Sequence, residues 1–362
     1  MRRFLVLTTA LGLALTAAVP VGAASPHDAY DVTVLVSDTG AGAVNPDGHL
    51  INAWGLTRSA GSPWWVANNG TNTSTLYNGA GDLFPASGPL VVAVPSRPTG
   101  TVANTNPGFM VPGPAGSPVR APFLFDTEDG TILGWQGSGT TTAVLGLDRS
   151  SVGAIYKGLA IGSPNGVPTL YAADFHNARV DVITADATTP TTWVASDTGF
   201  DDPGLPAGYA PFGIQNIGDM IFVTYAKQDA DAEDEIAGDG FGFVDAFGLD
   251  GSFHGRVASG DALNAPWGLT KAPDAAVADF GEFSGQLLVG NFGDGHINAF
   301  RWGSWEPDGH LKIADHRPLR IDGLWAIAFG AGNANSGPAN GLFFTAGPDD
   351  ESHGAFGTVT LH

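Results

Sequence analysis

The sequence has no cysteine among its 362 residues. Disulfide bonds, thiolate nucleophiles and a lipid-modified cysteine are therefore excluded, and an ordinary hydrophobic core must supply the stability. Charged residues are also scarce, at 14%, and Lys and Arg number only 15 against 36 Asp and Glu. A chain with a formal net charge of −21 repels nucleic acid, whose binding depends on Lys and Arg. This charge favours small cations and other small ligands as partners.

Long apolar runs are missing except at residues 4–19, a stretch shorter than the ~20 residues that span a bilayer. Arg2 and Arg3 precede this stretch, and small residues follow it at 21–24. The pattern predicts a secretory signal peptide at 1–24 and a mature chain at 25–362 with no membrane anchor. We therefore expect a secreted or periplasmic monomer. A transmembrane anchor is the alternative interpretation of the same residues.

Glycine and proline are abundant, at 52 and 25 residues, and no long apolar stripe of helical period occurs. A short motif recurs about every 55 residues, which is the signature of a repeat architecture. It reads AWGLT at 53–57, YKGLA at 156–160, PFGIQ at 211–215, PWGLT at 266–270 and LWAIA at 324–328. The first interval is about twice as long as the others, so a degenerate copy is expected between Gly55 and Gly158.

A second apolar run follows each motif and ends in small, polar or turn residues, as in LYAADFHN and LLVGNFGD. Six such runs occur, each within a module of about 50 residues that holds up to four short strands. This organisation predicts an all-β fold, a six-bladed β-propeller forming one domain at 25–362. The strand at 31–38 is expected to complete the last blade, which is one strand short. A β-sandwich or another β-solenoid is the alternative.

Several longer runs carry a resemblance to known proteins: TEDGTILGW, LLVGNFGDGHINAF, DGLWAIAFG and FFTAGPDDESHGAFG. They resemble signature runs of an uncharacterised family of exported bacterial proteins with a six-bladed propeller, over nearly the whole mature chain. The resemblance implies a fold and an exported location, but no catalytic residues. The architecture is more distantly similar to NHL-repeat propellers and to gluconolactonase-type propellers, which hold a divalent cation in the central channel.

The candidate ligand-binding residues lie where the second run of each module ends, because those ends are expected to meet at one mouth of the channel. Alignment of the six runs brings polar side chains to this point. The candidates are Asn68, Glu128, Asp174, His176, Tyr225 and Asn291. The competing interpretation is that the Asn and Asp side chains cap turns.

A divalent cation is the expected cofactor, and oxygen-rich ligands favour Ca²⁺ over Zn²⁺. The candidate ligands are Glu128, Asp174, Asn291, Glu351 and His353. The acidic segment at 229–240 lacks the residue order of a calcium-binding loop and is expected to be a solvated insertion.

Three functions remain open at this stage. The first is binding of a small ligand or a divalent cation at the acidic mouth, without turnover. The second is a metal-dependent hydrolase, lactonase or lyase that uses the same site, and the third is a scaffold that binds protein or polysaccharide through its rim. No Gly-x-Ser-x-Gly or His-Glu-x-x-His motif occurs in the sequence, so an enzymatic function is less favoured than ligand binding.

Overall fold

The computed structural model describes residues 29–113, 116–137 and 139–362, so the predicted signal peptide at 1–24 lies outside the described residues. Short strands and tight turns dominate the described chain. No α-helix occurs among these residues, and none of their helical segments is long and apolar enough to cross a membrane. The short helical turns are 3₁₀ turns at Asn69–Thr71, Ser150–Val152, Pro164–Gly166 and Gly281–Phe283.

The strands are numbered in chain order. The first two are β1 (Tyr30–Ser37) and β2 (Asn45–Pro46). Blade 1 contains β3 (Ala53–Thr57), β4 (Trp64–Asn68), β5 (Thr73–Tyr77) and β6 (Val91–Ala93). Blade 2 and its small additional hairpin contain β7 (Pro98–Ala103), β8 (Met110–Pro112), β9 (Pro118–Arg120), β10 (Phe123–Thr127), β11 (Thr131–Trp135) and β12 (Val144–Asp148).

The remaining blades follow in order. Blade 3 contains β13 (Tyr156–Gly162), β14 (Thr169–Asp174), β15 (Arg179–Ala185) and β16 (Trp193–Ser196). Blade 4 contains β17 (Tyr209–Ile217), β18 (Met220–Gln228), β19 (Glu235–Ile236), β20 (Phe243–Gly248) and β21 (Phe253–Ser259). Blade 5 contains β22 (Pro266–Lys271), β23 (Leu287–Asn291), β24 (Ile297–Phe300) and β25 (Pro307–His310). Blade 6 contains β26 (Leu324–Phe329), β27 (Leu342–Ala346) and β28 (Ala355–Leu361).

The six sheets form a closed ring around a central axis. The first strand of each blade is the innermost, and each inner strand contacts the inner strand of the next blade. The ring closes because β26 of blade 6 contacts β3 of blade 1. The six-bladed β-propeller predicted from the repeat is thereby confirmed.

Strand β1 completes blade 6, as the sequence predicted. It pairs antiparallel with β28, in a register that runs from Tyr30 opposite Leu361 to Ser37 opposite Ala355. The sheet order is β2-β1-β28-β27-β26, so the two ends of the described chain lie side by side. This pairing satisfies the edges that β1 and β28 would otherwise expose.

The glycine of the repeated motif is required where neighbouring inner strands approach closely. A Cβ atom on Gly213 would lie 2.1 Å from the carbonyl oxygen of Trp267, and one on Gly100 would lie 2.3 Å from the amide nitrogen of Leu159. Gly100 in β7 is the degenerate copy expected between Gly55 and Gly158. The motif therefore recurs because the blades pack backbone against backbone around the axis.

The inner strands carry a β-bulge near the motif, and side chains from the second strand bind the amides there. The hydroxyl Oγ1 of Thr224 accepts a hydrogen bond from Gly213 N at 2.8 Å, and Thr345 Oγ1 accepts one from Ala326 N at 3.1 Å. In blade 2 the same role falls to a carboxylate, since Asp126 Oδ1 accepts from Gly100 N at 2.5 Å. Asp126 is fully buried, and its other oxygen Oδ2 has no hydrogen-bond partner in the described structure.

Asp126→Asn is expected to stabilise the protein more at pH 8 than at pH 5. Burial raises the pKa of Asp126 to about 7, against the opposing hydrogen bonds from Thr99 and Gly100. A raised pKa means that ionisation destabilises the fold progressively as pH rises from about 4 to about 7. The gain in unfolding free energy should be about 2 kcal/mol larger at pH 8 than at pH 5, measured by urea unfolding. An equal gain at both pH values would contradict this account.

Aromatic clusters between the blades form the core. Trp64 and Trp65 are adjacent in β4 and point to opposite faces, as strand residues do. Trp64 packs against Phe343 on the blade 6 side at a ring distance of 5.0 Å, whereas Trp65 stacks on Phe123 of blade 2 at 4.1 Å. Both rings are buried because each blade is covered on both faces.

Candidate functional site

One end of the channel is closed by the residues that precede the glycine of the repeated motif. Side chains from blades that are not neighbours meet there, which places them on the axis. The rings of Trp54 and Trp325 lie 3.8 Å apart, and Trp267 is 5.9 Å from Trp325. Phe212 contacts Trp325 at 5.8 Å, and the amine of Lys157 lies 5.1 Å from the centre of the Trp54 ring. These five residues form an aromatic floor that contains one cation.

A second layer of side chains lies on this floor and forms what we call the mouth. It includes Asn52, whose Oδ1 accepts hydrogen bonds from Nε1 of Trp54 at 2.8 Å and of Trp325 at 2.9 Å. The amide Nδ2 of Asn52 donates to the carboxylate of Glu351. Phe292 stacks on Trp325 at a ring distance of 4.0 Å. The mouth is thus part aromatic and part carboxylate.

Lys157 is the central charge of the mouth and is only 1% exposed. Its Nζ lies 2.6 Å from Glu128 Oε1 and 2.9 Å from Asp234 Oδ1. Burial alone would lower the pKa of Lys157, but Glu128, Glu235 and Asp234 outweigh burial and raise it. Lys157 is therefore a fixed ammonium ion at neutral pH, which rules out a role as an amine nucleophile there.

Two further carboxyl groups of the mouth ionise less readily than usual. Burial raises the pKa of Glu235 to about 8; the charge of Lys157 opposes this rise, and the charges of Glu351 and Asp234 add to it. Burial likewise raises the pKa of Glu351, against the hydrogen bond from Asn52. The mouth therefore has more carboxyl groups than its own cations neutralise.

The acidic segment at 229–240 supplies two of these groups, so it is not the freely solvated insertion that the sequence suggested. Within it, β19 pairs with the end of β18, Gln228 opposite Glu235. The carbonyl oxygen of Ala232 lies 3.2 Å from His176 Nδ1 of blade 3, and Gly238 N donates to Asn264 Oδ1 at 2.7 Å on the blade 5 side. The segment is tied down on both sides and borders the mouth.

Glu351 lies at the end of a strained backbone turn. Asp349, Asp350 and Glu351 are consecutive residues with φ of 57°, 49° and 63°, a left-handed turn that ordinary side chains adopt at a cost. The amide of Glu351 donates to the carbonyl oxygen of Gly347 at 3.2 Å and closes this turn. Strained segments of this kind are found preferentially at functional sites.

The structure brings only some of the sequence candidates to the mouth. Glu128 and Glu351 both lie beside Lys157, and His176 contacts the acidic segment. Asn68 instead donates to Thr73 and Thr75 of its own blade.

Three other candidates also point into the blades. Asp174 accepts hydrogen bonds from Asn177, and Asn291 donates to the carbonyl oxygen of Ala262 at 2.8 Å. Tyr225 is buried in the hydrophobic cluster between blades 3 and 4.

The five candidate metal ligands do not form one set. His353 Nδ1 lies 2.8 Å from Asp38, and Asp174 and Asn291 have the partners given above. Among the residues that the structure describes, no group of three His, Asp or Glu is placed to hold a metal ion. Oxygen donors are present at the mouth, but Glu128 and Asp234 are already bound to the ammonium of Lys157.

Four residues of the mouth were not among the candidates from the sequence: Asn52, Lys157, Asp234 and Glu235. A signal for Lys157 existed, because it takes the position of Trp54, Phe212 and Trp267 in the repeat. A lysine among bulky apolar residues at one repeat position is the kind of local exception expected at a functional site. The other three residues lie outside the repeated motif, and no comparable signal marks them.

Comparison with known proteins gives relatives without an assigned function. No protein-family model matches the chain. An uncharacterised protein of Acanthamoeba polyphaga mimivirus is 31% identical over 347 residues, which cover 94% of this chain and 82% of the viral protein. A second uncharacterised protein of the same virus is 31% identical over 340 residues, which cover 91% of this chain and 85% of that protein.

Solved structures share the propeller fold at low sequence identity. A protein of unknown function from Bacteroides thetaiotaomicron is 9% identical with a TM-score of 0.56, over 92% of this chain and 76% of that one. The soluble aldose sugar dehydrogenase of Escherichia coli, in its apo-form, is 13% identical with a TM-score of 0.50, over 92% of this chain and all of that one. These likenesses show the fold alone.

The relatives found by sequence are proteins of a virus, whereas the resemblance noted in the sequence was to exported bacterial proteins. The bacterial and exported character that this resemblance implied therefore stays a prediction. The two viral proteins match nearly the whole chain at 31% identity. The chain therefore belongs to the family of β-propeller proteins that includes these two uncharacterised proteins of mimivirus.

Proposed function

We propose that the protein binds a small cationic ligand at the mouth, without turnover. The observation that carries the proposal is the imbalance of charge around Lys157. Two cations, Arg97 and Lys157, lie among a larger number of carboxyl groups. Those carboxyl groups belong to Glu128, Asp129, Asp234, Glu235 and Glu351.

The chain's own lysine illustrates the chemistry of recognition. The ammonium of Lys157 is held by two carboxylates and lies over the ring of Trp54, which combines ion pairing with a cation–π contact. Glu235, Glu351 and the partly exposed Phe292 offer the same combination to a ligand from outside. An organic ammonium ion fits this surface best. A divalent cation held by Glu235 and Glu351 is the second candidate occupant.

The wider setting belongs to the same proposal. The pattern at 1–24 supports export, with the protein acting outside the cytoplasm as a monomer. The acidic charge supports a small cation rather than nucleic acid as the partner. The alternative of a hydrolase, lactonase or lyase at the same mouth would use Glu235 as an acid or base, since its pKa of about 8 suits proton transfer near neutral pH.

Binding of putrescine is expected to strengthen as pH rises from 6 to 8. A cation pairs with ionised Glu235, so below its pKa of about 8 a proton must leave before the cation binds. The expected gain approaches tenfold in affinity per pH unit, measured by calorimetry with putrescine and, separately, with calcium chloride. Glu235→Gln should weaken binding and remove most of the pH dependence.

The matched control is Glu306→Gln, which removes the same charge from an exposed position in blade 5. This control should bind putrescine as the native protein does. An unchanged pH profile in Glu235→Gln would overturn the assignment of this residue. If neither putrescine nor calcium binds at pH 8, the proposed function itself fails.

A further inference from the structure

The opposite end of the channel has the opposite charge. The inner strands begin at the mouth and end at this far side, where the last residues of β3, β17, β22 and β26 surround an open cavity of about 340 Å³, here called the funnel. Two cations contribute to it, and none of the described residues that line it carries a carboxylate. Its lining residues include Thr57, Arg58, Trp64, Gln215, Thr270 and Lys271.

Arg58 is a half-buried cation without a counterion. Its Nε and Nη2 donate to the carbonyl oxygen of Phe329 at 3.1 and 2.8 Å, and its guanidinium lies 5.3 Å from the centre of the Trp64 ring. Partial burial of the guanidinium lowers the pKa of Arg58. No Asp or Glu of the described residues forms an ion pair with it, in a chain with 36 acidic residues.

Lys271 and two neutral groups face the same space. Lys271 Nζ lies 3.1 Å from Asp274, but the side chain of Asp274 is 69% exposed, so water screens this pair. The side-chain amide of Gln215 and the hydroxyl of Thr270 make no hydrogen bond with any described residue. The funnel therefore offers several unused hydrogen-bond donors beside two positive charges.

We propose that the funnel binds a small oxyanion, the carboxylate or phosphate group of a soluble molecule. The Nη1 donors of Arg58 are unused and can meet one oxyanion, while Lys271 supplies a second positive charge. An anion there would compensate the partly buried charge of Arg58, which the protein itself leaves unpaired. The volume of the funnel lies within the range of small-molecule pockets.

This site is separate from the mouth. Between the two ends the channel narrows to a void of about 30 Å³, lined largely by inner-strand residues such as Gly55, Gly100 and Leu159. A void of that size holds about one water molecule, and the aromatic floor closes it on the mouth side. An anion in the funnel therefore makes no direct contact with a cation at the mouth.

The test compares sodium phosphate and sodium citrate with sodium chloride at equal ionic strength, by calorimetry and thermal unfolding at pH 7.5. The native protein is expected to bind phosphate or citrate saturably, with a Tm that rises with ligand concentration. Arg58→Gln and Lys271→Met should each weaken this binding at least tenfold. Arg301→Gln, which removes an exposed cation paired with Asp308, should bind as the native protein does.

Other variants keep the result interpretable. Lys271→Met retains the apolar stem of the side chain and leaves Arg58 in place, so it tests the site even if Arg58→Gln fails to fold. Glu351→Gln at the mouth should leave anion binding unchanged, which separates this site from the proposed function. Equal Tm shifts in native protein, Arg58→Gln and Lys271→Met would show a general salt effect and overturn the proposal, as would no binding of either anion.

Discussion

Gly213→Ala is expected to lower the free energy of unfolding by about 3 kcal/mol or more, and the variant is expected to be largely unfolded at moderate temperature. The added methyl group would lie 2.1 Å from the carbonyl oxygen of Trp267 in the next blade. Backbone atoms of a closed ring have little freedom to withdraw, so the neighbouring blade must shift as a whole. Urea unfolding followed by tryptophan fluorescence measures the effect.

The ring provides a matched comparison for this substitution. Blade 6 has Ala326 at the equivalent position, so an extra methyl group is tolerated at one place in the ring and not elsewhere. Gly88→Ala adds a methyl group where no heavy atom lies within 4 Å, and it should change stability by less than about 1 kcal/mol. If Gly213→Ala and Gly88→Ala have the same free energy of unfolding, the repeated glycine is not needed for the close approach of the blades.

Lys157→Met is expected to be the most damaging change at the mouth, with a loss of about 3–5 kcal/mol at pH 8. The variant keeps the packing of the side chain over Trp54 but leaves the mostly buried Glu128 without the ammonium that it binds; Asp234 is 72% exposed, so water screens its charge. The loss should be smaller at pH 5, because Glu235 is then protonated and no longer adds to the repulsion. Thermal and urea unfolding at both pH values check this sign.

Two comparisons separate lost charge from lost packing. Lys227→Met removes a cation that lies over the ring of Phe241 and has no carboxylate partner among the described residues, so it should cost about 1 kcal/mol or less. The double change Lys157→Met with Glu128→Gln should recover part of the loss. Putrescine should stabilise Lys157→Met more than the native protein, since it can occupy the vacated position. A loss equal at pH 5 and pH 8 would contradict the electrostatic explanation.

The fold could be predicted because one short motif marks the places where the inner strands of neighbouring blades come closest. Glycine is needed where most of the inner strands touch, so Gly158, Gly213 and Gly268 recur at the period of the blade, and alanine takes this position in blade 6. The missing last strand of blade 6 and the unassigned strand at 31–38 together predicted the closure. Local sequence and global architecture agree here, and that agreement made the prediction secure.

The sequence indicated some of the strand ends that border the mouth, but it did not indicate all of the residues that line it. The alignment found the strand ends that meet the axis, but it could not fix which of two adjacent residues faces inward. In blade 1 the inward residue is Asn69, whose amide donates to Glu128 at 3.0 Å, whereas Asn68 binds its own blade. The bulges in the inner strands shift the pairing, and a sequence does not display them.

The position of Glu235 could not be predicted from the sequence, for another reason. Glu235 reaches the mouth from the paired acidic segment, whereas Glu351, which was already a candidate, reaches it from a left-handed turn. Burial raises the pKa of both residues, and the charge of Glu351 adds to the rise at Glu235; no local sequence pattern encodes these effects. The composition shows an excess of acidic residues but does not show which of them lie together at the mouth.

The pairing of β1 with β28 has a consequence for how the chain folds. His362 lies 2.9 Å from Asp31 across a separation of 331 residues, so the last blade joins the first and last described segments. Blade 6 cannot be completed before the final strand has been synthesised, and until then the nascent chain carries unsatisfied sheet edges that invite aggregation. Because β1 and β28 come from the most distant described parts of the chain, closure of the ring depends on a non-local pairing, which is intrinsically slow to form.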